Sequence, residues 1–261
     1  MERVYAANPH DSKKTTKEKR KTMTTTLITG ADRGMGFELA KELGENGQHV
    51  LVGARNQERG MAAVDALREQ KINADLILID VTDDASIVAA QQTIASKFGS
   101  LDILINNAGL TLDNWEKPST LALDKIRGDF DVNFFGLVSV TQHMLPLLRQ
   151  STSAKILNIS SAVGSLTIAS DPTSSVYQHP SFGYQASKAA VNMFTIDLAN
   201  ELKDTRITVN AVNPGWVATD SAVGGGPKTI EEGVARTVEL ALQPDNTVNG
   251  TFSDVDGIVP W

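Results

Sequence analysis

From residue 24 onward, short apolar runs recur along the chain: TTLITG (25–30), HVLVGA (49–54), DLILID (75–80), LDILINNAG (101–109), AKILNIS (154–160), RITVNAVNPG (206–215) and GTFSDVD (250–256). They are rich in Val, Ile and Leu. Most lack the polar alternation of a strand with one wet face, so they read as strands buried on both faces of a parallel sheet. Between them the apolar positions adopt helical spacing, as in GFELAKELGENG, ERGMAAVDALREQ, DASIVAAQQTIASKFG and DFDVNFFGLVSVTQHMLPLLRQ. Such regular alternation predicts right-handed crossovers and one α/β domain. Its sheet is doubly wound, mostly parallel and seven-stranded, with helices on both faces. No internal repeat, low-complexity tract or composition shift marks a second domain within 24–261.

Composition narrows the chemistry. The 261 residues are 41% hydrophobic and 21% charged, as in an ordinary globular protein. There is no Cys, which removes disulfides, thiolate metal sites and a thiol nucleophile. The four His, at 10, 49, 143 and 179, show no tight ligand spacing, so no metal is expected. No apolar run is long enough to span a bilayer. Net charge is −7, but residues 1–22 carry +4, leaving −11 for the remainder. An acidic body argues against nucleic-acid binding. The basic stretch lacks the apolar core of a secretion signal. Residues 1–23 are read as a disordered leader or extension, Met23 as a plausible start, and the protein as cytoplasmic.

The first apolar run leads into TGADRGMG, with Gly30, Asp32, Arg33, Gly34, Met35 and Gly36. A glycine-rich turn between strand and helix frees backbone N–H groups for a pyrophosphate, and the helix N-terminus adds favourable partial charge. The spacing is a variant of the dinucleotide fingerprint of Rossmann-type domains. An enzyme reading the free ribose of NAD places an acid about 20 residues further on. This chain has Gly53, Ala54 and Arg55 there, with Arg33 inside the loop. Two guanidinium groups without a nearby carboxylate suit a 2′-phosphate, hence NADPH/NADP+. Asp80 and Val81 close the third strand, where Asp80 could face the adenine or cap the next helix. Asn107, Ala108 and Gly109 close the fourth, either supporting the nucleotide or making the turn.

The segments TGADRGMG, NNAG, SSAVG, YQASK and NPGWVATD, in that order, resemble the short-chain dehydrogenase/reductase superfamily, and in particular its NADPH-dependent carbonyl reductase-like branch. The resemblance covers nearly the whole chain from residue 24. It implies that Tyr184 is the proton donor to a carbonyl and that Lys188 also binds the nicotinamide ribose. An isolated phenol titrates near pH ~10. Lys188 lies one helical turn on, and its charge, with that of oxidised nicotinamide, would lower the tyrosine's pKa. The family pattern selects Ser161, three residues before Gly164, to hold the substrate oxygen, and leaves Ser160 to cap or pack. Asn133 resembles the family's helix asparagine, which holds a water leading from the lysine, with a purely structural role as the alternative. Pro214 and Gly215 fit a tight turn, after which Val217 and Thr219 would meet the nicotinamide carboxamide.

The expected activity is reduction of an aldehyde or ketone to an alcohol, as in a carbonyl reductase or ketoreductase acting on a small-molecule substrate. Two alternatives are an NAD-linked alcohol dehydrogenase and a non-catalytic NADP(H)-binding sensor. Trp115, Leu166 and Trp216 suggest an apolar substrate pocket. The stretch SLTIASDPTSSVYQHPSFG between Ser161 and Tyr184 looks like an inserted loop of intermediate length. It leaves monomer, homodimer and homotetramer open. Tyr177 within it has no Lys four residues on. Residues 220–233, with Gly224 to Gly226, read as a substrate lid that starts a helix at Pro227, and Trp261 as docked on the body or on a neighbouring subunit.

Overall fold

The computed structural model describes residues 23–178, 180–219, 226–244 and 246–261. The basic leader and residues 220–225 of the expected lid lie outside them. Eight strands form one sheet: β1 (Thr25–Thr29), β2 (His49–Ala54), β3 (Ala74–Leu78), β4 (Ile103–Asn106), β5 (Ala154–Ile159), β6 (Ile207–Val212), β7 (Phe252–Asp254) and β8 (Gly257–Ile258). Their order is β3-β2-β1-β4-β5-β6-β7-β8. All neighbours are parallel except β8, which folds back on β7. The short β8 accounts for the one strand beyond the seven expected. The fold is the Rossmann-like doubly wound one, with the strand order reversing between β1 and β4.

The missing polar alternation has a direct cause. Ile28, Val50, Val52, Ile103, Ile105 and Leu157 enter one core layer. It is completed by α1 (Gly34–Glu45), α2 (Gln57–Glu69) and α7 (Ile230–Leu242). Leu27, Leu51, Leu104, Ile156 and Val209 enter the opposite layer, against α3 (Asp84–Phe98), α5 (Leu137–Leu148) and α6 (Phe182–Glu201). Each fully buried aliphatic side chain contributes about 1.5–3 kcal/mol, so both faces must stay apolar. Strands end sooner than the apolar runs suggest. Asn107–Gly109 and Asn213–Gly215 leave the sheet at its C-terminal edge, where parallel α/β folds bind ligands.

Two helices differ from expectation. The segment beginning DFDVNFFG is preceded by α4 (Leu123–Phe130) and passes through a π-helical turn, Asp131–Gly136, before α5. The helix expected at Pro227 starts at Ile230, because Thr229 and Glu232 form a capping box there. The inserted stretch holds two short helical turns, Leu166–Ala169 and Ser175–Gln178. Trp261 stacks on Phe252, with ring centroids 5.5 Å apart, and its main-chain oxygen accepts a 2.8 Å bond from the Thr167 hydroxyl.

One buried cation terminates α7. Lys155 donates to the carbonyls of Leu240 (2.9 Å), Ala241 (3.1 Å) and Gln243, at a helix end where cations are favoured. Burial pushes its ammonium down from 10.5 to about 8. The unfolded chain therefore binds the extra proton between these values, and stability rises with pH across that window. Urea midpoints should increase from pH 8 towards 10, and Lys155→Met should flatten this rise by roughly 2 kcal/mol. An equal rise in the variant would assign the effect elsewhere.

Candidate active site

β1 ends in a cradle of backbone. Gly30 and Gly34 have φ of +64° and +55°, a region that favours glycine. A Cβ at Gly36 would lie 2.2 Å from the Gly30 carbonyl oxygen and 2.6 Å from Asn107 Nδ2, so no side chain fits. α1 then begins at Gly34 with no side-chain cap at Arg33 and no acid in its first turn. Its leading N–H groups are left for an anion, which fits a dinucleotide diphosphate. Asn107 stitches the cradle to β4. Its Nδ2 donates to the carbonyls of Thr29 (2.9 Å) and Gly30 (3.2 Å), while the N–H groups of Asn107 and Ala108 both donate to Thr29 Oγ1 at 3.0 Å. Met35 packs partly into the core beneath.

The cations expected at the ribose end sit at one edge, because Thr29 and Gly53 are paired across β1 and β2. Arg33 and Arg55 are both exposed. The expectation that no carboxylate lies near them is corrected in two respects. Asp32 pairs with Arg59, whose Nε lies 2.8 Å from its Oδ2. Arg55 is close enough to Asp80 to help hold that carboxyl below its usual range, although the Thr82 backbone N–H is the larger cause. Asp80 accepts from the Thr82 N–H (2.9 Å) and hydroxyl (2.7 Å), so its carboxylate is engaged in a local turn. Sequence alone does not single out Arg59; its place three residues past the Asn56 helix cap is the available signal. A cleft of about 560 Å³ is lined by Arg55, Val81, Thr82, Leu110, Phe135 and Gly136, among others.

β5, the π-helical turn and α6 bring the chemical residues together. Lys188 is buried, its Nζ donating to the Ile159 carbonyl at 2.7 Å and lying 5.6 Å from the Tyr184 ring centroid. Burial pushes Lys188 down to about 8. Ser161 follows β5; its Oγ accepts from Val163 N–H at 3.5 Å, and its hydroxyl is near enough to Tyr184 to favour the phenolate. Burial pushes the Tyr184 phenol up to about 12, and Ser161 only partly counters this. The protein alone therefore holds a firmly protonated phenol rather than an acidified one. Gly164 is needed behind the pair, since a Cβ there would lie 2.7 Å from the Lys188 carbonyl carbon.

Asn133 is a cross-tie. Its Oδ1 accepts from Leu110 N–H (2.8 Å), and its Nδ2 donates to the Leu110 carbonyl (2.8 Å) and Ser187 Oγ (3.0 Å). Both amide hydrogens are thus committed to protein acceptors. A Cβ at Gly109 would stand 3.3 Å from Asn133 Oδ1 and 3.7 Å from Lys188 Nζ, so these atoms flank a side-chain-free position. Ser160 is structural, bonding Asn192 at 2.6 Å. Asn213, missed from sequence, accepts from the N–H groups of Ala162 and Gly215 at 3.0 Å, tying the serine turn to the Pro214–Gly215 turn. Val217 is buried, with its side chain against Gly233. Thr219 N–H is held by the Val217 carbonyl at 2.9 Å. Leu166, Trp115 and Trp216 are exposed apolar residues.

The family model for short chain dehydrogenases matches residues 24–227. Short-chain dehydrogenase anuI of Penicillium roqueforti is 39% identical over 226 residues, covering 83% of this chain and 88% of that protein. Salutaridine reductase of Papaver bracteatum is 30% identical, covering 89% and 94% respectively. Among solved structures, NADPH-bound carbonyl reductase from chicken fatty liver superposes with a TM-score of 0.80 at 27% identity, covering 92% of this chain and 99% of that one. Salutaridine reductase from Papaver somniferum gives 0.78 at 30% identity, covering 88% and 99%. The match runs from the glycine cradle through the tyrosine helix, and on this ground the chain belongs to the short-chain dehydrogenase/reductase family of oxidoreductases.

Proposed function

We propose that the protein reduces an aldehyde or ketone to an alcohol using NADPH. The observation that carries this is the contact of Ser161, Tyr184 and Lys188 at the sheet edge that also holds the glycine cradle. The bound nicotinamide supplies the hydride. Gly30, Gly34 and the first turn of α1 hold the diphosphate, while Arg33 and Arg55 face the 2′-phosphate. Ser161 donates a hydrogen bond to the substrate oxygen and keeps it beside Tyr184. Tyr184 gives that oxygen its phenolic proton. Lys188, protonated at pH 7 with its pKa at about 8, stabilises the phenolate left behind. Asn133 keeps the Gly109–Leu110 strap against α6, so the ammonium and phenol stay in register. The phenol carries its proton at neutral pH; the reductive direction is inferred from the choice of NADPH.

The exposed Leu166, Trp115 and Trp216 support an apolar carbonyl substrate. The NAD-linked alternative is opposed by Arg33 and Arg55 at the ribose end. The sensor alternative is opposed by the intact serine, tyrosine and lysine. A panel of apolar aldehydes and ketones should oxidise NADPH, followed by its absorbance, at least about tenfold faster than NADH. No consumption with any carbonyl, or equal rates with both cofactors, would overturn the reading.

A further inference from the structure

Two buried carboxyl groups behind the tyrosine take no part in the chemistry above. Asp129 closes α4 and is fully buried, and Asp113, in the loop after β4, is 2% exposed. Both converge on Gly183, the residue before Tyr184. Asp113 Oδ2 accepts from the Gly183 N–H at 3.3 Å, and its Oδ1 accepts from Glu116 N–H at 3.1 Å. It thereby caps α6, whose own N-cap, Ser181, makes no side-chain cap bond. Asp129 Oδ2 lies directly over Gly183, where a Cβ would come within 2.6 Å of it. Asp129 Oδ1 accepts from Leu112 N–H at 2.8 Å, but Oδ2 has no hydrogen-bond partner.

We propose that Asp113 and Asp129 form a carboxylate–carboxylic acid pair that seats the N-terminus of α6, positions Tyr184 and governs its acidity. Two ionised carboxylates cannot share this place cheaply. None of the ion pairs among the described residues includes either group. Among the described residues, the titratable groups that act on Asp129 or are acted on by it are Asp113, from the loop, and Tyr184, from α6. A helix N-terminus favours one negative charge, which Asp113 supplies through a direct N–H contact. A proton on Asp129 Oδ2 turns an unpartnered acceptor into a donor, and Asp113, which bonds the N–H of the glycine that Asp129 overlies, is the neighbouring carboxyl that would accept it. The chemistry agrees: burial, with Asp113 adding to it, pushes the Asp129 carboxyl up. Once ionised, Asp129 holds the phenolic proton of Tyr184 more tightly. The pair is thus a positioning device acting through the tyrosine, and the inference rests on Tyr184 being the proton donor.

Infrared spectroscopy of the full chain, with side-chain-labelled aspartate, tests the pair. At pH 7 the wild type should show a protonated-aspartate C=O stretch that Asp129→Asn removes and Tyr184→Phe retains. Asp129→Asn, an isosteric neutral replacement, should also bring the tyrosinate absorbance that Tyr184→Phe removes to a pH about one unit lower, because the late negative charge is gone. Absence of the band in the wild type, a measurement that needs no variant to fold, overturns the pair. A band with an unmoved tyrosinate titration overturns the link to Tyr184. Turnover that survived Tyr184→Phe would instead sink the proton-donor reading, and the infrared band would still decide the pair.

Discussion

Tyr184→Phe is expected to lower turnover by about three orders of magnitude while leaving NADPH affinity nearly unchanged. The substitution removes only the hydroxyl. The ring stays in place beside Lys188, 5.6 Å from its Nζ, and the Lys188 bond to the Ile159 carbonyl is untouched. The cofactor's diphosphate cradle lies on other elements, β1 and α1. Steady-state rates and a fluorescence titration with NADPH separate the two effects. Retained turnover, or weakened binding with unchanged turnover, would remove Tyr184 from the reaction.

Arg55→Asp should lower the ratio of kcat/KM for NADPH over NADH by about 100-fold. A hydrogen bond from a charged group is worth about 1.5–3 kcal/mol, or roughly 10- to 150-fold, and the new carboxylate adds repulsion of a phosphate. Arg33 remains, so the change should fall short of abolishing NADPH use. Arg59 is occupied by Asp32, which limits what it can contribute in compensation. The substituted carboxylate would also stand near Asp80, where Arg55 now lends a favourable charge. An unchanged cofactor ratio would dissociate Arg55 from the 2′-phosphate.

The doubly wound sheet is legible in the sequence because its strands are buried on both faces, and that forces uninterrupted Val, Ile and Leu. The Tyr184–Lys188 proximity is legible from helical spacing alone. The acidity of Tyr184 is not. Charge is written in the residue type, but burial is a property of the assembled fold, and here burial raises the phenol. The same gap hides the partners of polar groups. Asn107 can be placed at a turn, yet its bonds go to a loop from a distant part of the chain. Asp32, in the β1–α1 connection, meets Arg59, in the first turn of α2, a pairing invisible in either motif. Asp129 belongs to no motif, and only packing puts it behind the tyrosine. The π-helical turn at Asn133 likewise leaves no periodic trace in so few residues.

The inserted stretch joins two fixed points. Its upstream end leaves the Ser161 turn, which Asn213 ties down, and its downstream end enters α6 at Phe182. Among its described residues stand two short helical turns, with Leu166 and Tyr177 open to solvent. Lengthening such a connection costs little, since each doubling adds only about 0.6 kcal/mol of closure entropy. Length is therefore the inexpensive variable of this connection, while the serine turn and α6 that bound it are fixed by contacts of their own.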